Sequence, residues 1–307
     1  MFSFIARRLL VAVPTLLVLI VISAVLMHAA PGGPFNSERK LSAEVLANLQ
    51  AKYGLDQPLY VQIWTYIRDL VLHFDFGPSF KYKDRTVNDI ISQGFPVTLV
   101  YGFWSFVIAT ILGIGAGVIA AIRQNTPTDY LVLTVAIIGA VLPGYVIAPI
   151  LVLVFTLKLG WLPGGGWEDG EWRYLVLPVI ALSTGYIASI ARLMRSSMLE
   201  TLNSNFVRTA RAKGLPEWKV ITRHVMKPAL LPILSYLGPV FVGMITGSVV
   251  IDMYFSTGGI GKSFVDSALN RDYSVMLGVT LLVGALTIVF NLIVDVLYAF
   301  IDPKIRY

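Results

Sequence analysis

Asn203-Ser-Asn-Phe-Val-Arg-Thr-Ala-Arg-Ala-Lys-Gly-Leu-Pro216, continued by Glu217-Trp-Lys-Val-Ile-Thr-Arg-His-Val-Met-Lys-Pro228, is a basic island in an otherwise apolar chain. Phe206 to Lys213 reads as a short helix: Ser204 or Asn205 can cap its first amides, and Gly214 can take the left-handed conformation that closes it. Leu215-Pro216 then turns the chain into a second helix. Val207, Ala210 and Ala212 are small or apolar, whereas Arg208, Arg211 and Lys213 are basic. The first helix therefore offers a compact, partly apolar face suited to an acidic partner. The alternative reading is a positively charged loop whose only task is to fix membrane topology.

The composition around this island describes a chain whose solvent is mostly lipid: 56% of its 307 residues are hydrophobic and 14% charged. The absence of cysteine excludes disulfides, thiolate metal sites and cysteine nucleophiles. A net charge of +6 would point to nucleic acid in a soluble protein. Here the lysines and arginines cluster between apolar runs, where they set orientation, and no nucleic-acid partner is expected.

Arg7-Arg8 precedes a charge-free run, Leu9 to Met27, long enough to cross about 30 Å of hydrocarbon. A cleaved signal peptide is the rival reading, but the run exceeds the roughly 7 to 15 apolar residues of a signal. His28 also stands where a small residue is wanted before a cut after Ala30, so this is read as a retained first span. Residues 31–96 form a polar insertion. Within it, Leu41 to Tyr53 and Leu59 to Phe74 carry helical spacing, with Leu59, Ile63, Ile67 and Leu70 on one side of the second. These helices are expected to lie against the outer membrane surface or the protein. Residues 97–307 hold five more apolar segments: Val97 to Ile122, Leu131 to Leu157, Tyr174 to Ala191, Ala229 to Ile251 and Ser274 to Ile301.

The predicted fold class is thus an all-α polytopic membrane protein with six transmembrane helices. Placing both termini in the cytoplasm puts thirteen basic residues in the inner connections, among them the eight from Arg192 to Lys227. Four fall outside, Lys158, Arg173, Lys262 and Arg271, with the long insertion left uncounted. Prolines 14, 143, 149, 178 and 239 and glycines 113, 115, 117, 238, 243 and 247 punctuate the spans. Close helix packing explains them; so does a jointed fifth span, from Ser235 through Gly243, Thr246 and Ser248, lining a path that opens and closes. Asn291 and Asp295 share a helical face in the last span. A carboxylate there is expected to face the path or to pair with Arg192, Arg195 or an interfacial lysine.

Two motifs are decoys. Asp75-Phe76-Gly77 spells the kinase metal-binding triplet, but no glycine-rich strand loop or His-Arg-Asp loop accompanies it. Ser256-Thr-Gly-Gly-Ile-Gly-Lys-Ser263 nearly spells a phosphate-binding loop, yet it has Ser256 for the first glycine, follows a membrane span and is assigned to the outer side. No cofactor and no metal site is expected.

The run Arg208-Thr-Ala-Arg-Ala-Lys-Gly214-Leu-Pro216, with His224 and the Pro228/Pro232 pair, resembles the cytoplasmic loop of ABC-importer permeases in the form of the peptide-transport branch. The general family form opens Glu-Ala-Ala, has Gly four residues after the second Ala and ends Ile-x-Leu-Pro. This chain departs from it with Arg208-Thr209-Ala210, and with His224, Met226 and Lys227 near the end. Phe74-Asp-Phe-Gly-Pro-Ser79, Ile251-Asp-Met-Tyr-Phe-Ser-Thr-Gly-Gly-Ile-Gly261 and Asp302-Pro303-Lys304 are also similar to peptide-permease elements, although the family usually has Glu at Asp252 and Pro at Gly258. The likeness extends over nearly the whole chain and is strongest to B-type permease subunits of bacterial oligopeptide importers.

The resemblance implies a type I importer permease fold in the bacterial inner membrane and no catalytic residues, since ATP hydrolysis belongs to partner subunits. The implied partners are a second homologous permease, two ATP-binding subunits, an extracytoplasmic peptide-binding protein, the peptide and the bilayer. It also implies that the short helix is a coupling helix. Arg208, Arg211 and Lys213 would then contact the ATPase, Phe206, Ala210 and Ala212 would pack in its groove, and Gly214, Leu215 and Pro216 would form the joint. Gly214→Val should uncouple hydrolysis from uptake. Dipeptide, murein-peptide and nickel importers share the architecture. An ATP-independent channel or carrier would leave the loop without a purpose. An intramembrane hydrolase lacks a nucleophile set around His28, His73 or His224.

Overall fold

The computed structural model describes residues 2–29, 43–247 and 249–301. Ser248, the 30–42 stretch containing Leu41 and the Asp302-Pro303-Lys304 ending lie outside the described residues, as does the Thr246 side chain. Among the described residues, five helical segments are long and apolar enough to cross a membrane: Leu10–Ala29, Val87–Ile122, Trp172–Leu202, Glu217–Phe255 and Tyr273–Val296. A sixth, Pro127–Val141 with Gly144–Lys158, is bent by 103°.

In chain order the helices are α1 (Phe2–Ala29), α2 (Ala43–Lys52), α3 (Leu59–His73), α4 (Val87–Ile122), α5 (Pro127–Val141), α6 (Gly144–Leu151), α7 (Trp172–Leu202), α8 (Asn205–Ala212), α9 (Glu217–Lys219), α10 (Met226–Gly247), α11 (Val249–Phe255), α12 (Ile260–Asn270) and α13 (Tyr273–Ile301). π-helical turns follow α6 at Val152–Lys158 and α9 at Val220–Val225.

The third apolar segment is not the single helix expected from Leu131 to Leu157. Pro143 has no amide hydrogen to donate and pushes the preceding residue out of the helical region. Leu142 is accordingly extended, at φ −77° and ψ 114°, and a new helix starts after Pro143. Pro14, Pro149, Pro178 and Pro239 all sit inside continuous helices, so proline alone does not dictate the break.

The chain packs as two compact units, Met1–Thr98 with Gly258–Ile288, and Leu99–Thr257 with Val289–Tyr307. In the first unit, Val87, Ile90, Ile260, Val275 and Val279 form one buried cluster. Ile63, Ile67 and Leu70 of α3 pack on a second, built from Ile20, Leu277 and Leu281, so the predicted apolar stripe of α3 faces protein. The Asp75-Phe-Gly77 triplet is a turn: Asp75 accepts from the Gly77 amide at 2.8 Å, and Asn88 bonds both Phe76 N–H and the Phe74 carbonyl. Asp272, almost fully buried, accepts from the Ser79 hydroxyl at 2.5 Å and the Phe80 amide at 3.1 Å, with longer contacts from the Lys81 and Val275 amides.

In the second unit α7 is the spine, and glycines let other helices reach it. A Cβ on Gly113 would stand 2.7 Å from the Ile190 Cβ, one on Gly117 2.5 Å from the Ala191 carbonyl, and one on Gly139 3.0 Å from Thr184. A Cβ on Gly243 would meet the Tyr186 hydroxyl at 2.7 Å, and one on Gly238 would crowd Val294 at 2.9 Å. These four approaches to α7 and the α10–α13 contact give the glycines a packing role. Fully buried Asp252 of α11 accepts from the hydroxyls of Tyr101 and Thr257. The near-P-loop thus begins at a helix end rather than a strand.

Candidate functional site

The basic loop begins where α7 runs past its apolar portion to Leu202. Ser204 occupies the N-cap of α8 with extended backbone, but its hydroxyl donates to the Thr201 carbonyl at 2.6 Å instead of receiving a helix amide. The side-chain cap expected from Ser204 or Asn205 is therefore not made. At the other end the expectation holds. Gly214 has φ +73°, its amide donates to the Arg211 carbonyl at 2.9 Å, and Leu215 N–H reaches the Ala210 carbonyl at 3.4 Å. This reciprocal pair is a Schellman closure, which needs a residue that tolerates the left-handed region. Pro216 then starts α9.

Which way α8 faces corrects part of the sequence reading. Val207 and Ala210 are buried, and α8 packs on the π turn at Val220–Val225. Ala210 therefore serves its own chain and is not free to enter a partner's groove. The outward face carries Arg208, Thr209 and Ala212, flanked by Phe206 and Lys213, all exposed. Arg211 lies to the side. Its Nε and Nη2 donate to the two Glu217 carboxylate oxygens at 3.1 and 2.5 Å, bracing α8 against α9. Leu215 is half-buried, and Gly214 and Pro216 are exposed.

A second arginine pair lies on the helix that feeds the loop. Arg195 of α7 donates from Nε and Nη2 to both oxygens of Asp129 in α5, each at 2.7 Å, and the Asn125 amide adds a bond at 2.9 Å. Asp129 is 1% exposed and Arg195 21%. Asp129 carries no motif; its signal in the sequence is an acid one turn ahead of a charge-free apolar run, a position that demands a partner. The pairing considered above between Asp295 and Arg195 gives way to this one.

The residues assigned to a translocation path are spread through the second unit. Ser235 is exposed on α10, Gly243 receives Tyr186, and Asn291 of α13 lies near Gly238. Asp295 is half-buried one turn further along α13.

The family described as "Binding-protein-dependent transport system inner membrane component" matches residues 113–307, and its N-terminal counterpart matches residues 1–102. The chain is 59% identical to the oligopeptide transport system permease protein OppB of Salmonella typhimurium and 54% identical to that of Haemophilus influenzae, over the whole of each chain. It is 40% identical to the dipeptide transport system permease protein DppB of Bacillus subtilis, covering all of this chain and 98% of that one. Among solved structures, an inward-facing form of the MetNI methionine ABC transporter superposes with TM-score 0.59 at 17% identity, over 69% of this chain and 96% of the other, a likeness of fold. The family match over residues 113–307 and the full-length identity place this chain among the binding-protein-dependent transport system inner membrane components, as a multi-pass inner-membrane permease.

Proposed function

We propose that this chain is one permease half of an ATP-driven oligopeptide importer, with both termini and the 192–228 loop in the cytoplasm. It works beside a second homologous permease, two ATP-binding subunits and an extracytoplasmic peptide-binding protein, and performs no chemical step itself. The observation that carries this reading is α8: a short helix closed by left-handed Gly214, anchored inward by Val207 and Ala210, with Arg208, Ala212, Phe206 and Lys213 turned outward. Identity of 59% and 54% to two full-length permeases named for oligopeptide transport supports the substrate class.

In this mechanism, closure of the ATPases displaces α8. Its buried side chains press on the π turn that leads into α10, so the displacement passes to the fifth span. Through Ser204 and Leu202 it also reaches α7, which draws α5 along by the Arg195–Asp129 pair. The path that opens is lined by Ser235, Gly243, Thr246, Ser248, Asn291 and Asp295. The test is ATP-dependent peptide uptake by proteoliposomes holding this chain with its partner subunits, with and without the binding protein, comparing wild type with Arg208→Glu and Arg211→Glu. Uptake that needs every component and collapses in Arg208→Glu is the expected result. Flux through this chain alone, indifferent to ATP, would overturn the proposal in favour of a channel or carrier.

A further inference from the structure

The first unit contains a cavity of about 300 Å³ that the transport mechanism above does not use. Ile20 and Met27 of α1, Phe76 and Leu277 give it an apolar wall, and Asp69, Asp75 and Tyr66 give it a polar one. Among the described residues that line it there is one histidine, His28, and no lysine or arginine. The Tyr66 hydroxyl is fully buried and has no hydrogen-bond partner among the described residues. An orphaned buried polar group is costly, and natural structures keep such groups where something else satisfies them. Burial first, and then the Asp75 charge, push the Tyr66 phenol above its ordinary range, so it remains an O–H group. The neighbouring polar side chains are already engaged: Gln62 donates to the Gln57 carbonyl, and one Asp75 oxygen takes the Gly77 amide.

Asp69 is already paired with Arg68 at 2.9 Å. A hydroxyl in want of a partner, the Asp75 carboxylate beside it, no lysine or arginine among the described lining residues and an apolar wall together specify a cation that donates hydrogen bonds and carries an apolar substituent. We infer that this cavity holds the first residue of a peptide, with its α-ammonium against Asp75 and Tyr66 and its side chain on Ile20, Phe76 and Leu277. An amine-bearing phospholipid fits worse, because its phosphate would enter the same acidic surroundings without an arginine or lysine to meet it. The inference deepens the oligopeptide reading and rests on it for the choice of a peptide over other amines. The cavity selects for a free amino terminus.

The experiment is direct binding of trileucine and N-acetyl-trileucine to the full chain in phosphatidylcholine nanodiscs, with wild type, Tyr66→Phe and Asp75→Asn, and no ATPase present. Free trileucine should bind, and acetylation should weaken it by about tenfold or more, the loss expected for charge-assisted hydrogen bonds. Asp75→Asn should weaken it to a similar degree and Tyr66→Phe about threefold. Ligand-free Tyr66→Phe should melt no lower than wild type, since it deletes an unpaired hydroxyl, whereas a structural role for Tyr66 predicts a lower melting point. Equal affinity for the free and acetylated peptides, no binding at all, or loss of binding in nanodiscs containing phosphatidylethanolamine would overturn the inference, the last by assigning the cavity to lipid. Because the readout needs no ATP, transport without binding here sinks this inference alone, and binding here without uptake in the assembled system sinks the importer reading alone.

Discussion

Two arginine–carboxylate pairs, one on the helix that feeds the basic loop and one within it, share the same two-pronged geometry in opposite surroundings. Arg195 and Asp129 are 21% and 1% exposed, whereas Arg211 and Glu217 are 43% and 54% exposed. In the first pair Asp129 cannot turn to water, so it depends on Arg195, and the pair fixes α5 to α7. In the second, water and salt replace either partner at little cost, so Arg211 can leave Glu217 for a carboxylate on another protein. Geometry alone would rank the two equally; burial makes one a rivet and the other a latch.

The largest effect should come from breaking the rivet on one side. Asp129→Ala leaves the mostly buried Arg195 guanidinium without its carboxylate, and removing one member of a buried pair typically costs about 3–5 kcal/mol. Thermal unfolding in detergent should show it, together with loss of uptake. Replacing both, as Asp129→Leu with Arg195→Met, should recover most of the stability, because no charge is left unpaired. If the double variant transports normally, the pair holds α5 in place but carries no motion.

Asp272 sharpens the same comparison, being as buried as Asp129 but held by a hydroxyl and backbone amides instead of an arginine. Asp272→Asn keeps the shape, yet presents an amide group to donors. It should cost about 1–3 kcal/mol, less than Asp129→Ala, because no charge is orphaned. An equal or larger loss would mean that burial and not the arginine decides the cost.

Patterns confined to one helix or turn were legible in the sequence. The length of apolar runs located the spans, the Leu59-Ile63-Ile67-Leu70 spacing located α3 and its buried face, and glycine after Lys213 located the end of α8. What depended on distant residues was not. Asp129 and Arg195 are 66 positions apart and each looks like an ordinary charge near a span end. Pro143 breaks its helix while Pro178 and Pro239 do not, so the residue type alone could not place the break. Ala210 and Ala212 have identical side chains, and only the position of the Val220–Val225 turn makes one inward and the other outward. The orphaned Tyr66 hydroxyl reads, in sequence, as one more position on a buried helix face.

Gly214 separates conformation from contact at the joint. A Cβ added there meets nothing within 4 Å, so any cost of substitution is the cost of φ +73°. Gly214→Ala should lose about 1–2 kcal/mol of local stability, Gly214→Asn less, and Gly214→Val more because of its branched Cβ. Membrane insertion should survive in all three, while peptide imported per ATP hydrolysed falls in the order Asn, Ala, Val. Equal coupling across the series would show that α8 transmits motion without its Schellman closure.

The smallest effect in the isolated chain is the one that tests the latch. A double-mutant cycle with Arg211→Ala and Glu217→Ala should return an interaction of about 0–1 kcal/mol, shrinking as salt rises, since both side chains remain in contact with water. In the assembled importer the two single variants should part company. Glu217→Ala frees Arg211 and should keep or tighten the association with the ATPase, whereas Arg211→Ala removes the group that the partner would take over and should weaken it. If both variants weaken association equally, the Arg211–Glu217 pair acts as a fixed brace that orients α8, and the partner is gripped by Arg208 and Lys213 alone.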